Sequence, residues 1–167
     1  MKRLFSLVLM LFVLLQLNAQ QGSPMLSNFI PSRNIENQSW AICQDGNLVM
    51  LFANRKGILT FDGYTEDWET IRIPAIPYSI LKNQKDGKIY VGGDNSFGYL
   101  EKNETGGYRY ISLPSDSLPS GVITKIIFDG SEAWFYGDQT IIRYNLESKK
   151  RDLRLDSKPG SPFSGMI

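Results

Sequence analysis

The chain has 167 residues, with 18 lysine and arginine side chains against 17 aspartate and glutamate side chains, one cysteine and no histidine. A net charge of +1 supplies no strong positive field, so we expect no nucleic-acid partner. The absence of histidine excludes the usual serine–histidine triad and nearly all zinc and non-haem iron sites, and the single thiol of Cys43 excludes an intrachain disulfide. We therefore expect no catalytic residues, cofactor or metal.

The N-terminus has the pattern of a secretory signal peptide. Lys2 and Arg3 precede a largely apolar run over 4–15, and a small residue, Ala19, follows at a suitable cleavage position. The run is shorter than the roughly 20 residues of a transmembrane helix, which favours cleavage over a membrane anchor. The sequence therefore predicts a signal peptide at 1–19, a leader at 20–36, and a periplasmic or secreted mature chain without a membrane span.

An internal repeat organises the rest of the chain. An Asp-Gly pair recurs at intervals of 41 and 43 positions, as Asp45-Gly46, Asp86-Gly87 and Asp129-Gly130. One β-prone run precedes each pair and three follow it, with turn residues between them and no convincing helical period. Four short strands in a unit of about 40 to 50 residues are typical of a propeller blade.

The repeat predicts an all-β fold, a partial β-propeller of about three four-stranded antiparallel blades with the start of a fourth. The opening of the third unit, at 120–123, is repeated in type at the last four residues. Because propellers close into rings of about four to eight blades, we expect a truncated part of a longer protein. A small protein that completes its ring by oligomerising is the alternative. The predicted bounds are 37–78 for blade 1, 79–119 for blade 2, 120–163 for blade 3 and 164–167 for the start of blade 4.

The residues around the three Asp-Gly pairs, together with Gly57-Ile58-Leu59-Thr60-Phe61-Asp62-Gly63, resemble two-component regulator propeller repeats. These repeats form the periplasmic sensor part of Bacteroidetes-type hybrid histidine kinases and triple-tyrosine regulators. The resemblance covers 37–167. It implies a noncatalytic sensing segment whose longer parent can carry histidine kinase activity. The implied partners are the remaining blades of that parent and a carbohydrate or other small ligand.

The ligand-binding candidates are Arg55, Tyr64 and Trp68. The loop from Asp62 to Trp68 is polar and aromatic and could bind a glycan or a cation, although a solvated hairpin loop is the simpler interpretation. Arg55 lies in a charged turn and could contact an anion. Trp40, Trp68 and Trp134 could stack on a sugar ring, but their recurrence at strand positions favours packing between blades.

Two other functions remain open at this stage. The chain could belong to a secreted propeller enzyme acting on glycans, since carboxylates such as Asp62 and Asp67 could supply an acid and a base. Nothing in the sequence places two of them at catalytic spacing around a pocket. It could also be a propeller scaffold that binds other proteins.

Overall fold

The computed structural model describes residues 26–31, 35–104, 106–113 and 121–163. The chain divides into two compact units, 1–30 and 31–167. The described part of the first unit, 26–30, is exposed and has no regular secondary structure. The predicted signal peptide and the predicted start of a fourth blade lie outside the described residues.

The described part of the second unit forms three four-stranded sheets and no helix. Blade 1 contains β1 Ser39–Gln44, β2 Met50–Asn54, β3 Gly57–Asp62 and β4 Asp67–Ile71. Blade 2 contains β5 Pro77–Lys82, β6 Ile89–Gly93, β7 Ser96–Lys102 and β8 Tyr108–Ser112. Blade 3 contains β9 Ile123–Asp129, β10 Glu132–Gly137, β11 Thr140–Asn145 and β12 Lys150–Asp156. Each strand pairs antiparallel with the next in the chain, so every blade is a meander.

The three sheets are arranged radially, with their first strands innermost. Their first strands, β1, β5 and β9, contact one another in succession, whereas the outermost strands β4 and β8 barely touch. Sheets that meet along their first strands and diverge at their last strands are the blades of a propeller. The expectation of an all-β partial propeller is therefore confirmed.

Each innermost strand carries a β-bulge at the same position. The register shifts place the extra residue at Trp40 in β1, Tyr78 in β5 and Thr124 in β9. The rings of Trp40 and Tyr78 are consequently in contact, with their centroids 4.6 Å apart. A bulge bends the strand and redirects a side chain. The three units therefore repeat this backbone irregularity as well as the order of their strands.

The core consists of two layers, one on each side of blade 2. Blades 1 and 2 share a layer of aliphatic side chains that includes Leu51, Ile58 and Val91. Blades 2 and 3 share a more aromatic layer that includes Tyr90 and Phe135. Because successive strand residues point to opposite faces, Tyr90 and Val91 belong to different layers although they are neighbours in the chain.

The innermost strands approach closely between blades 2 and 3. The Ser79 hydroxyl donates a hydrogen bond to the carbonyl oxygen of Ile123 at 2.9 Å. A Cβ atom on Gly92 would lie 2.4 Å from Ile123 Cγ2 and 2.5 Å from Ser79 Oγ. Glycine at position 92 is therefore required by the contact between blades, and not by the hairpin that follows it.

The outward faces of blades 1 and 3 are apolar and partly exposed. On blade 1, the half-buried rings of Phe52 and Trp68 are 5.6 Å apart, and Ile42 is 56% exposed. On blade 3, Trp134 stacks on Tyr136 at 6.1 Å, and Leu155 is 47% exposed. Among the described residues, these two faces lack the cover that both faces of blade 2 receive.

No helix in the described part of the chain is long and apolar enough to cross a membrane.

Candidate functional site

The structure separates the three ligand-binding candidates. Arg55 is exposed in the turn between β2 and β3, and Tyr64 is 94% exposed in the turn between β3 and β4. These turns lie at opposite ends of β3, a six-residue strand about 20 Å long. Trp68 lies on the outward face of blade 1, packed 4.7 Å from the ring of Phe61. The three side chains therefore do not form a common site.

A polar groove of about 860 Å³ lies between blades 1 and 2, and we call it the outer groove. Its volume lies within the range of small-molecule sites, about 300–1,000 Å³. It forms because the blades touch along β1 and β5 but diverge toward β4 and β8. The side chains most relevant to its chemistry are Asp62, Asp67, Glu69, Arg72, Tyr108 and Tyr110.

The two walls of the outer groove differ in chemistry. Asp67 and Glu69 alternate along β4 and lie on the face of blade 1 that points toward blade 2. Opposite them, Tyr108 and Tyr110 alternate along β8 and are both half-buried. One wall is therefore anionic and the other is aromatic.

A glycine in the neighbouring strand makes room for the aromatic wall. A Cβ atom at Gly98 would lie 2.5 Å from Cζ of Tyr110 and 2.6 Å from its hydroxyl oxygen. The phenol end of Tyr110 therefore occupies the space that a side chain at position 98 would need, and burial raises the pKa of its hydroxyl. The wall is an uncharged aromatic surface at any physiological pH.

A buried carboxylate ties the two blades together beside the groove. Asp45 belongs to the first Asp-Gly turn, and its Oδ1 accepts hydrogen bonds from the backbone N–H groups of Asn47 and Val49, at 2.7 and 2.9 Å. Its Oδ2 accepts hydrogen bonds from two blade 2 side chains, Lys102 Nζ at 2.9 Å and the Tyr108 hydroxyl at 2.5 Å. The carboxylate thus closes its own turn and links blade 1 to blade 2.

This network shifts the ionisation of its members. Burial by itself would raise the pKa of the Asp45 carboxyl, but the hydrogen bonds from Tyr108, Lys102 and the backbone outweigh it, so this pKa lies below its usual value. Burial, and then the hydrogen bond to Asp45, raise the pKa of the Tyr108 hydroxyl well above its usual value. Asp45 therefore stays ionised and Tyr108 neutral across the physiological range.

The thiol of Cys43 is not activated. The residue is half-buried on β1, and burial raises its pKa, which disfavours the thiolate that nucleophilic or redox chemistry needs. The side chain of Cys43 therefore serves as a small, half-buried apolar group of the strand.

The sequence pattern singled out only part of this site. It indicates Asp62 and Asp67 as members of a polar loop. Tyr110, Glu69 and the link from Asp45 to Lys102 were missed, because they come together only when two blades pack. Among the described residues, no cluster of three or more acidic or cysteine side chains has the geometry to hold a metal ion.

Comparison with known proteins supports the fold. No family model matches the chain, and no curated protein matches it. Two crystal structures of the extracellular domain of BT4673 from B. thetaiotaomicron are similar, one described as a one-component system and the other as a hybrid two-component system. They have a TM-score of 0.56 at 18% and 16% identity, over 74% and 73% of this chain.

This chain spans 17% of the length of each of those extracellular domains. A structure of the mitotic checkpoint complex matches 84% of this chain and 45% of its own, with a TM-score of 0.51 and 10% identity. At these identities the similarity establishes the all-β arrangement alone. The class of protein defined here is thus a partial β-propeller with an interblade groove.

Proposed function

We propose that this chain is a noncatalytic, extracytoplasmic ligand-sensing segment of a two-component-type signal transduction regulator. The observation that carries the proposal is its fold similarity to the extracellular domain of BT4673, a one-component or hybrid two-component system, over 74% and 73% of this chain. The N-terminal pattern of an export signal agrees with an extracytoplasmic position.

The remaining blades of a longer protein would complete the ring. The outward faces of blades 1 and 3 present Phe52, Trp68 and Trp134 at partial exposure, and a neighbouring blade on each side would bury them. Burial of such faces is the main stabilising term in a repeat architecture.

A ligand in the outer groove would act on the relation between two blades. The walls belong to β4 of blade 1 and β8 of blade 2, and these strands have few contacts of their own. A molecule that bridges them adds contacts only when both blades hold one relative orientation, so it favours that orientation. A change in the relative orientation of the two blades would then alter the position of an output domain attached to the ring.

Two measurements test the proposal. N-terminal sequencing of the exported protein should begin at Gln20, with the protein recovered from the extracytoplasmic fraction. Deletion of the codons for residues 37–163 from the reading frame should abolish a ligand-dependent change in transcription. An unchanged set of transcripts, across growth conditions in which the intact strain responds, would contradict a sensing role.

A further inference from the structure

The anionic wall of the outer groove contains an electrostatic conflict. Asp62 and Asp67 are direct cross-strand partners at the ends of β3 and β4, and like charges in that position destabilise a sheet. Asp62 also accepts a hydrogen bond from the backbone N–H of Tyr64, at 2.8 Å, which holds one carboxylate oxygen in place. The side chains of Asp67 and Glu69 have no hydrogen bond or ion pair to another described residue.

The groove has little cationic charge of its own to offset this wall. Arg109 also lines the groove, but its guanidinium is already paired with the carboxylate of Glu101, at 2.7 Å. Lys102 is engaged by Asp45 at 2.9 Å. Arg72, which is exposed beyond the end of β4, is the cationic side chain left along the lining in the described part of the chain.

The same region already shows how an ammonium group can be held. Lys102 Nζ lies 2.9 Å from Oδ2 of Asp45 and 5.2 Å from the ring centroid of Tyr108. A carboxylate and an aromatic face attract a cation, the first by charge and the second by the ring quadrupole. The outer groove repeats this pairing across its width, with Asp67 and Glu69 facing Tyr108 and Tyr110.

We propose that the outer groove binds a linear ligand with two ammonium groups. Asp67 and Glu69 are two residues apart on one strand, so their carboxylates are spaced by about 7 Å. One ammonium group would bind between Asp62 and Asp67, where it relieves the repulsion, and the second at Glu69 against the tyrosine wall. A free diamine and an extended peptide with lysines at alternate positions both present this spacing. The inference rests on the proposed function only in taking the outer groove as the ligand site.

Calorimetric titration of the purified chain tests the proposal. The probes are cadaverine, the tripeptide acetyl-Lys-Gly-Lys-amide, and two analogues of cadaverine, the neutral 1,5-pentanediol and the monoamine pentylamine. We expect the two dications to bind and the diol not to bind. Pentylamine should bind about tenfold more weakly than cadaverine. Raising the salt concentration to about 0.3 M should also weaken the binding of both dications. If cadaverine binds more tightly than the tripeptide, the natural ligand is a free diamine. If the tripeptide binds more tightly than cadaverine, the two ammonium groups come from a polypeptide.

Variants locate the binding site. Asp67→Asn combined with Glu69→Gln should weaken cadaverine binding by about tenfold, since two exposed ion pairs are lost. The matched control, Glu147→Gln with Asp152→Asn, changes two exposed carboxylates on blade 3 and should leave binding unchanged. Circular dichroism checks that both double variants are folded.

Three results would overturn the inference. They are equal losses in the two double variants, equal binding of the diol and cadaverine, and no heat from either dication at low salt. If no dication binds but a neutral oligosaccharide does, the ammonium site is rejected while the sensing function would stand. A transcriptional response that persists after the deletion of residues 37–163, while the purified chain still binds cadaverine, would reject the sensing function and leave the ammonium site standing.

Discussion

The hydroxyl of Tyr108 on blade 2 donates a hydrogen bond to Asp45 Oδ2 on blade 1, across 63 positions of the chain. The acceptor belongs to the first Asp-Gly turn and the donor begins the outermost strand of the next blade. The same turn that marks the repeat in the sequence therefore also connects one repeat to the next.

Removal of the Tyr108 hydroxyl should destabilise the propeller segment. A hydrogen bond to a charged acceptor contributes about 1.5–3 kcal/mol, so we expect Tyr108→Phe to lower the free energy of unfolding by about 2 kcal/mol. Urea denaturation followed by tryptophan fluorescence measures the change. The matched control is Tyr64→Phe, since Tyr64 is 94% exposed and its hydroxyl is solvated. Equal stability of the two variants would contradict a stabilising role for the link.

Acid should weaken the segment through Asp45. Its pKa is lowered in the folded state, so the folded state favours the ionised form. The stabilisation is complete above the unfolded pKa of about 3.9 and is lost as the pH falls through the lower folded value. We expect Asp45→Asn to be less stable than the wild type at neutral pH and to lose less stability between about pH 5 and pH 2.

The control for the acid experiment is Asp152→Asn, which removes an exposed carboxylate on blade 3. Denaturation midpoints measured at a series of pH values give the pH dependence of stability for each variant and for the wild type. If Asp45→Asn and the wild type lose stability in parallel below pH 5, ionisation of Asp45 does not contribute to the link.

A methyl group at position 92 should separate blades 2 and 3. Its Cβ would approach Ile123 Cγ2 to 2.4 Å, so Gly92→Ala requires the innermost strands to shift. We expect a loss of about 1–3 kcal/mol in the free energy of unfolding, as for other overpacked contacts. Gly63→Ala is the control, because the nearest atom to its Cβ would be Phe61 Cε1 at 3.8 Å. A Gly92→Ala protein as stable as Gly63→Ala would rule out the tight contact.

The outward sheet faces should cause self-association when this chain is expressed alone. Ile42 on blade 1 and Leu155 on blade 3 are 56% and 47% exposed and lie among partly exposed aromatic rings. Lysine at both positions would place charge on each face, so we expect Ile42→Lys with Leu155→Lys to reduce concentration-dependent association strongly. Light scattering after size-exclusion chromatography measures the mass.

Leu48→Lys serves as the control for association, since Leu48 is 73% exposed in a turn and away from both faces. This variant should associate as the wild type does. A wild-type chain that stays monomeric at high concentration and melts reversibly in one transition would argue against faces that need cover.

Local patterns in the sequence were sufficient for the strands. In β1 and β10, for example, alternating apolar residues and flanking turn residues lie within or directly beside the segment, so the strand can be predicted from neighbouring residues. The start of β7 is less evident from the sequence, because the strand begins at Ser96 and includes Gly98, which disfavours a strand locally but accommodates the Tyr110 ring here. The bulges at Trp40 and Tyr78 likewise cannot be predicted from neighbouring residues, because a bulge is defined by the pairing with the partner strand.

By itself, the sequence determined the number of strands, their order in three meanders and the apolar sides of the blades, since each depends on residues a few positions apart. The tertiary structure alone decided that Asp45 meets Lys102 and Tyr108, that Asp67 and Glu69 face the tyrosine wall, and that Arg55, Tyr64 and Trp68 lie apart. The reason is geometric. A period of about 41 residues indicates that the units have similar structures. The angle at which two blades pack decides which of their side chains line a common groove.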